Sequence, residues 1–254
     1  MIDIHCHILP GVDDGAQSLE ESVEMAREAV KEGIEKIIVT PHHKLRAFDN
    51  PRSKVSEKTA ELNSVFADEG IPLSLSVGQE IRIFGELPEE LETGEIAPLN
   101  DSRYLLIEFP SNHVPSYTDR LFYELQLKGY VPVIAHPERN QQLTEQPDKL
   151  YELVEKGALS QVTAASVCGL FGKKIQDFSF RLIEANLVHF VASDAHNTGS
   201  RGFRMAEAFD AIEKKFGLDT LGIFLENGRL AAENQTVYKE IPEKIKRKRL
   251  FGIF

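Results

Sequence analysis

The sequence predicts an α/β fold of repeated strand–helix units, and three observations lead to this prediction. Short apolar runs rich in β-branched residues alternate with longer stretches of helical periodicity, a pattern typical of βα units around a parallel sheet. Seven such runs recur at intervals of about 30 residues, the length of one βα unit. A chain of 254 residues is long enough for one α/β barrel or for two small domains. Seven units favour a closed or nearly closed barrel, although an open doubly wound sheet has the same spacing.

The predicted strands span residues 2–4, 36–40, 73–77, 104–109, 131–135, 160–163 and 188–192. Ser18 is the predicted N-cap of the first helix, with Glu21 as its capping-box partner, and Gly33 ends that helix. Further helices are predicted at 51–70, 115–129, 147–157, 173–185 and 202–217, whereas 84–98 has the pattern of a loop with a short helix. Because no linker-like segment divides the chain, we expect a single domain over 1–238 and a C-terminal tail over 239–254.

Composition and charge exclude several classes of protein. Hydrophobic residues make up 42% of the chain and charged residues 27%, as in an ordinary globular protein. The net charge of −11 argues against a nucleic-acid partner, because a phosphate backbone binds basic surfaces. The chain has two cysteines far apart, no signal-peptide pattern and no apolar run of membrane-spanning length. These features indicate a protein of the reducing cytoplasm.

The C-terminal tail is the exception to the acidic balance. Residues 244–249 are basic except for Ile245, and residues 250–254 are mostly apolar. We expect a solvated or docking segment, and the alternative is a weak contact with an acidic partner or a membrane surface.

Histidine and carboxylate residues follow the predicted strands. His5 and His7 end the first strand, and alternate residues of a strand point the same way, so both imidazoles are expected on one face with Cys6 on the other. Similar residues follow five later strands, and the carboxyl ends of the strands in a βα barrel meet at one mouth. His43 is expected to be a bystander, and His113 and His189 fall outside the pattern. The eight predicted metal ligands are His5, His7, His42, Glu80, Glu108, His136, Asp194 and His196.

This set of donors indicates a cluster of divalent ions. Five imidazoles and three carboxylates exceed the four ligands of one tetrahedral ion, and they fit two or three ions with bridging carboxylates. Nitrogen and oxygen donors without thiolate favour Mn, Fe or Zn at a reactive site over a structural zinc site. Taken singly, Glu80 and Glu108 have ordinary alternatives as ion-pair partners or helix-entry residues.

Together these residues resemble the metal motifs of the PHP (polymerase and histidinol phosphatase) superfamily along most of the chain. The motifs are HxH at 5–7, TPHH at 40–43, AHPER at 135–139 and SDAH at 193–196. The segments 5–15, 99–104 and 136–139 are similar to the manganese-dependent protein-tyrosine phosphatases of Gram-positive bacteria, the CpsB/YwqE type. The resemblance implies a distorted, TIM-barrel-like (β/α)7 barrel with three divalent ions, Mn first and Fe, Zn or Mg as alternatives. It also implies that the phosphotyrosine partner is a bacterial tyrosine kinase with its substrates, linked to exopolysaccharide or capsule synthesis.

The hypothesis for the chemistry is hydrolysis of a phosphate monoester, preferably phosphotyrosine, by a metal-bound hydroxide. Coordination lowers the pKa of water to about 7, so hydroxide is available at neutral pH. Arg139 and Arg201 follow predicted ligands in the loops of the mouth and can bind phosphate. The resemblance implies this role, and an ordinary ion pair or surface position is the alternative. Asp14 is the candidate general acid for the leaving phenolate and Asp13 is its rival, although the flanking glycines also fit a plain turn.

Other functions make different demands on the sequence. A cysteine-dependent tyrosine phosphatase needs Arg six positions after its Cys, but Val12 and Lys174 stand there. A histidinol-phosphate phosphatase has the same PHP metal site, so the relative rates on phosphotyrosine peptide and histidinol phosphate separate the two. An amidohydrolase commonly bridges its metals with a strand-four lysine, where this chain has Glu108. A module used only for binding would lack ligands, whereas all eight are present.

The connections between the predicted elements are short. A small-metabolite enzyme would cover its mouth with long loops, so short connections favour an accessible site and a macromolecular substrate. Residues 43–51 are expected to form one rim of that site.

Overall fold

The computed structural model describes residues 1–46 and 48–245, and it shows an α/β fold with parallel sheets. All seven predicted strands are present, and two short strands continue the second and third. The strands are β1 (Ile2–Cys6), β2 (Lys36–Val39), β3 (His42–His43), β4 (Ser74–Val77), β5 (Glu80–Arg82), β6 (Tyr104–Glu108), β7 (Val131–Ala135), β8 (Leu159–Thr163) and β9 (Phe190–Ala192). The helices are α1 (Leu19–Lys31), α2 (Arg52–Asp68), α3 (Leu87–Thr93), α4 (Thr118–Leu127), α5 (Gln141–Glu145), α6 (Asp148–Glu155), α7 (Ala164–Cys168), α8 (Lys173–Glu184), α9 (Met205–Phe216) and α10 (Leu218–Ala232).

The strands do not form one closed sheet over the described residues, so the predicted closed (β/α)7 barrel is not confirmed. One sheet has the order β1-β2-β4 and the other the order β3-β5-β6-β7-β8-β9, with every pair parallel. The division arises just after the second and third predicted strands, between β2 and β3 and between β4 and β5. Pro41 lies in the first interruption and has no N–H to donate to a ladder. At the second, Gly78 lies against β2, and a Cβ added there would be 2.8 Å from Ile38 Cγ2.

The register of the larger sheet places polar side chains side by side at its carboxyl edge. His42 of β3 is paired with Glu80 of β5, and Arg82 is paired with Glu108 of β6. The loop after β9 returns to β1, where the Asp194 N–H donates to the His5 carbonyl at 2.8 Å. Residues from five strand ends therefore meet at one end of the molecule.

The helices pack apolar faces on the sheets, as the periodicity predicts. Ser18 caps α1, and its side chain accepts a hydrogen bond from the Glu21 N–H. The sequence prediction missed helix α10, because its glycines lower helix propensity. One of them, Gly228, is needed for close packing: a Cβ there would lie 3.3 Å from the Ile2 carbonyl oxygen of β1.

The end of the predicted domain and the first part of the predicted tail pack on the body of the protein. The Asn227 side chain donates to the Tyr238 carbonyl at 3.0 Å and accepts from the Tyr238 N–H at 2.7 Å. The Glu243 N–H donates to the Ala185 carbonyl, and Ile245 is buried. Most of the basic and apolar run, 246–254, lies outside the described residues. No helix in the described part of the chain has the length and apolar character needed to cross a membrane.

Candidate metal centre

His5 and His7 converge on one point, as the strand geometry predicts. Their Nε2 atoms are 3.2 Å apart, and both side chains are buried. Glu80 Oε2 lies 3.4 Å from each Nε2, and Asp194 Oδ1 lies 3.5 Å from each. Burial lowers the pKa of His5, but the carboxylate charges of Glu80 and Asp194 outweigh burial and raise that pKa. The protein therefore favours positive charge at this point, which a divalent ion can supply.

The other nitrogen of each imidazole is held by a buried partner. His7 Nδ1 donates to Asp13 Oδ2 at 2.7 Å, and His5 Nδ1 donates to Gln161 Oε1 at 2.8 Å. With the proton on Nδ1, each Nε2 presents its lone pair to the cluster, which is the usual arrangement behind metal-binding histidines. The sequence prediction missed Gln161, because nothing in the sequence around β8 indicates that this glutamine contacts His5.

Glu80 lies at the centre of a second group. Its Oε1 is 2.8 Å from His136 Nε2, and its Oε2 is 2.8 Å from His42 Nδ1. Glu108 joins this group from β6, next to Arg82 Nη1 at 3.3 Å. Burial, followed by the charge of Glu80, raises the pKa of Glu108 to about 7. Ligand atoms of Glu80 and Glu108 lie within 4.8 Å of each other. Two neighbouring carboxylates commonly bridge bound cations, whereas without cations their negative charges repel each other.

Asp14 completes a third group, which the sequence prediction did not anticipate. Its Oδ1 lies 3.3 Å from His42 Nε2 and 3.4 Å from His196 Nε2. The neighbouring imidazoles of His196 and His42 hold the pKa of Asp14 well below its usual range. This position groups Asp14 with the candidate ligands, and its predicted role as general acid stays a prediction.

Asp13, the predicted rival, is buried, and its carboxylate is taken up by hydrogen bonds. Its carboxylate accepts from His7 Nδ1, from the Gly15 N–H at 2.9 Å and from the His42 N–H at 3.0 Å. Burial would raise the pKa of Asp13, but the charge of His7 and these hydrogen bonds lower it. Asp13 therefore orients His7 and fixes the loop after β1.

All eight predicted ligands and Asp14 are brought together. Their ligand atoms form four overlapping groups within which every atom lies within 4.8 Å of the others. Among the described residues, four buried atoms have polar neighbours but no partner in hydrogen-bond geometry: His42 Nδ1, Glu80 Oε2, Glu108 Oε2 and His196 Nε2. Buried polar atoms of this kind need a partner, so the residues fit divalent ions. The groups are His7, Asp14, His42 and His196; His5, His7 and Glu80; His5, His136 and Asp194; and His42, Glu80 and Glu108.

Arg139 and Arg201 face the same cavity, whose volume is about 430 Å³. Arg139 is hydrogen-bonded to Asp194, and its guanidinium lies 5.4 Å from the ring centre of Phe171. Arg201 lies 3.4 Å from Asp14 Oδ2 and 3.5 Å from Asp194 Oδ1. Both guanidinium groups are thus held beside candidate ligands, where a phosphate could reach them. Arg46 and Arg82, which the sequence prediction missed, also line this cavity.

Two of the ligands are held by unusual backbone. His136 has φ of 31° and Asp194 has φ of 52°, both in the left-handed region. Non-glycine residues adopt this region at a cost, and such residues cluster at functional sites. The strain supports a functional role for these two strand ends.

The remaining candidates lie outside the cluster. Cys6 is buried on the opposite face of β1, and its Sγ lies 3.6 Å from the Ala195 carbonyl. Burial raises the pKa of the Cys6 thiol well above its usual value, which makes it a poor nucleophile. His43 is buried and accepts from the Asn50 N–H. His189 accepts from the Ser160 N–H, and His113 pairs with its exposed neighbour Asn112.

Comparison with known proteins adds to this geometry. Residues 1–231 match the family model CpsB_CapC, described as "Capsular polysaccharide synthesis, CpsB/CapC". The chain is 53% identical over 254 residues to tyrosine-protein phosphatase YwqE of Bacillus subtilis, and 45% identical over 254 residues to the putative tyrosine-protein phosphatase CapC of Staphylococcus aureus. Each alignment covers 100% of both proteins.

Solved structures agree with the sequence comparisons. A chain from the crystal structures of YwqE from Bacillus subtilis and CpsB from Streptococcus pneumoniae, described as unique metal-dependent tyrosine phosphatases, matches with a TM-score of 0.96 at 53% identity. The match covers 97% of this chain and 100% of that one. Histidinol phosphate phosphatase from Lactococcus lactis shares the fold alone, with a TM-score of 0.52 at 15% identity over 84% and 94% of the two chains. The family model and the full-length relatives agree, and the chain belongs to the CpsB/CapC family.

Proposed function

We propose that this chain is a metal-dependent protein-tyrosine phosphatase. One observation carries the proposal. The candidate imidazole and carboxylate ligands converge at a cavity that the guanidinium groups of Arg139 and Arg201 also line. Sites that hydrolyse phosphate esters commonly combine metal ions with arginines, because both stabilise the negative charge of the phosphoryl group. The names of the relatives support phosphotyrosine as the group that is hydrolysed.

We infer that three divalent ions are bound, Mn by preference and Fe, Zn or Mg as alternatives. The donor set of nitrogen and oxygen atoms without thiolate supports this choice. Such ions would supply a water that ionises near neutral pH and a Lewis acid for a phosphate oxygen. The ligands we propose are the eight strand-end residues together with Asp14.

The side chains of the chain itself bind and orient the phosphate. Arg139 is fixed by Asp194 and by the ring of Phe171, and Arg201 is fixed by Asp14 and Asp194. Guanidinium groups held in place can each donate two hydrogen bonds to phosphate oxygens and stabilise the charge that develops during hydrolysis. The leaving group is a phenolate, whose conjugate acid has a pKa of about 10, so it departs with little help from a general acid. The engagement of Asp14 with two histidines is consistent with this mechanism.

We propose a bacterial tyrosine kinase and its phosphorylated substrates as the protein partners, with a role in capsule or exopolysaccharide synthesis. The family description and the names of the relatives support this context. We also propose a cytoplasmic location, since both cysteines, Cys6 and Cys168, are free.

Steady-state kinetics on a phosphotyrosine peptide and on histidinol phosphate test the proposal. We expect Mn-loaded protein to hydrolyse the peptide with the higher kcat/KM, and His136→Ala and Arg139→Ala to lose about 100-fold or more. Arg120→Ala, which removes an arginine from the exposed face of α4, is the matched control and should retain full activity. Absence of peptide hydrolysis in the wild type, or equal activity of His136→Ala, would show the proposal to be wrong.

A further inference from the structure

We propose that Leu45 and Phe48 form an apolar wall that receives the phenyl ring of the substrate and makes the site prefer aryl to alkyl phosphate esters. This inference rests on the proposed function and adds to it a specificity determinant. Neither residue belongs to the candidate ligands, and both follow His42 along the chain.

Leu45 and Phe48 line the same cavity as Arg139 and Arg201. The Phe48 ring stacks against the imidazole of His42, with ring centres 6.0 Å apart and planes inclined by 12°. An aromatic surface therefore begins directly beside the candidate ligands. If the phosphate of an ester binds between the arginines and the candidate ligands, the group esterified to that phosphate can reach this aromatic surface.

Backbone hydrogen bonds join Leu45 and Phe48 directly. The Leu45 N–H donates to the Phe48 carbonyl at 3.1 Å, and the Phe48 N–H donates to the Leu45 carbonyl at 2.8 Å. This reciprocal pair holds both residues at the tip of one narrow loop. Both are half-buried, so each retains apolar surface that a ligand can cover.

The base of the loop is anchored on both sides. On one side the buried Asn50 side chain donates to the His42 carbonyl at 2.7 Å and to the Val12 carbonyl at 3.1 Å. On the other side Lys44 Nζ lies 3.3 Å from Glu90 Oε1. A wall that is already in place costs little conformational entropy when a ring binds to it.

The rest of the cavity lining offers little apolar surface. Phe109 also borders it, but this residue is 4% exposed and its ring stacks on Phe122 in the core, with centres 6.0 Å apart. Ala135 is 3% exposed. The other lining residues described are polar or charged, so a bound phenyl ring finds its apolar contact at Leu45 and Phe48.

Binding of two non-hydrolysable phosphonates to the Mn-loaded full-length protein tests this wall. Phenylphosphonate carries the ring and methylphosphonate does not, so isothermal titration calorimetry with both reports the contribution of the ring without turnover. We expect the wild type to bind phenylphosphonate the more tightly. Phe48→Ala should lower this preference by about 2- to 12-fold, the range for loss of one aromatic pair, while methylphosphonate affinity is kept. Phe48→Tyr should retain the preference, and Leu45→Ala should reduce it in part.

Tyr123→Ala, which removes an exposed aromatic ring from α4, is the matched control and should change neither affinity. Metal content is measured for every variant, and Leu45→Ala serves as the readout if Phe48→Ala fails to load metal. Equal affinities of the wild type for the two phosphonates would overturn the inference. Equal losses of affinity for both phosphonates in metal-loaded Phe48→Ala or Leu45→Ala would also overturn the inference. The wall would then stabilise the position of His42 without contacting the phenyl ring. Hydrolysis of a phosphotyrosine peptide is assayed separately: a wild type that prefers phenylphosphonate but hydrolyses no peptide would refute the proposed function and leave the wall standing.

Discussion

Asp13→Asn is a sharp test of how the protein holds its metal ligands. The two oxygens of Asp13 accept three hydrogen bonds: Oδ1 from the Gly15 N–H, and Oδ2 from His7 Nδ1 and the His42 N–H. An asparagine has one accepting oxygen, so its NH₂ group must face at least one of these donors. Either the His7 imidazole loses the acceptor that keeps its proton on Nδ1, or the loop after β1 loses its anchor.

The expected effect is on metal affinity. Loss of a carboxylate that orients a metal-binding histidine typically weakens metal binding by about 10- to 100-fold, which corresponds to about 1.4–2.7 kcal/mol. Chelator competition with Mn measures this affinity directly. Activity on a phosphotyrosine peptide, measured against Mn concentration, should recover most of its kcat at saturating metal. Asp119→Asn, an exposed carboxylate paired with Lys156, is the control and should leave Mn affinity unchanged.

A different outcome would refute the reasoning. If Asp13→Asn bound Mn as tightly as the wild type but lost kcat at every metal concentration, Asp13 would act on the substrate and not on His7. Loss of the alkaline limb of the pH–rate profile in that variant would identify Asp13 as the general acid.

Three further predictions follow from other parts of the molecule. Burial, followed by the charge of Lys239, lowers the pKa of His189 to about 3 from 6.5. Below pH 6.5 this histidine is protonated in the unfolded chain but stays neutral in the folded chain. The unfolding free energy should therefore fall by about 2 kcal/mol by pH 5. His189→Asn cannot titrate, so urea unfolding should show its disadvantage shrinking by about that amount between about pH 7.5 and pH 5, whereas a constant difference would contradict the assignment. Phe171→Leu removes the ring beside Arg139 and should raise KM for a phosphotyrosine peptide by about 2- to 5-fold with kcat little changed, so an effect on kcat alone would count against a positioning role. Removal of metal with EDTA should lower the unfolding free energy by about 2.7 kcal/mol for each bound ion, relative to protein at a metal concentration 100 times Kd, and thermal unfolding that is unaffected by EDTA and by added Mn would argue against a bound metal.

The strand ends show which part of the site can be read from the sequence. His5 lies on β1 and His7 directly follows its last residue, Cys6, and the period of a strand predicts both imidazoles on one face. His136 and Asp194 each follow a buried apolar run, and parallel strands present such residues at one edge. Local periodicity and the parallel arrangement are enough to predict that these candidate ligands come together, as their side chains do.

Asp14 shows why the third group was not predictable. The loop after β1 has no period, and its course is set by close packing: a Cβ on Gly15 would lie 2.0 Å from the His7 carbonyl oxygen. Only glycine permits the chain to fold back on β1 at this point, and this return brings Asp14 to His42 and His196. The glycine is visible in the sequence, but the contact that requires it is made through space.

The division of the sheet has the same kind of cause. The predicted strand 36–40 ends at Val39 in the structure, and hydrogen bonding resumes at His42, in β3, with a different neighbour. The break between β4 and β5 lies at Gly78, which packs against Ile38. Propensity describes residues one at a time, so it predicted β2 and β4 but neither β3 and β5 nor the sheet to which they belong.

The charged groups that line the mouth show what bound cations would add to a phosphate site. The cavity has four carboxylates, those of Asp14, Glu80, Glu108 and Asp194, and four guanidinium groups, those of Arg46, Arg82, Arg139 and Arg201, while the chain as a whole carries a charge of −11. These carboxylates and guanidinium groups alone sum to no net positive charge, so the attraction for a phosphate dianion depends on the histidines and on any bound cation. Three divalent ions would add six positive charges, and in a partly enclosed site this attraction is strong. Bound metal would therefore strengthen the binding of the substrate as well as supply the chemistry of its hydrolysis.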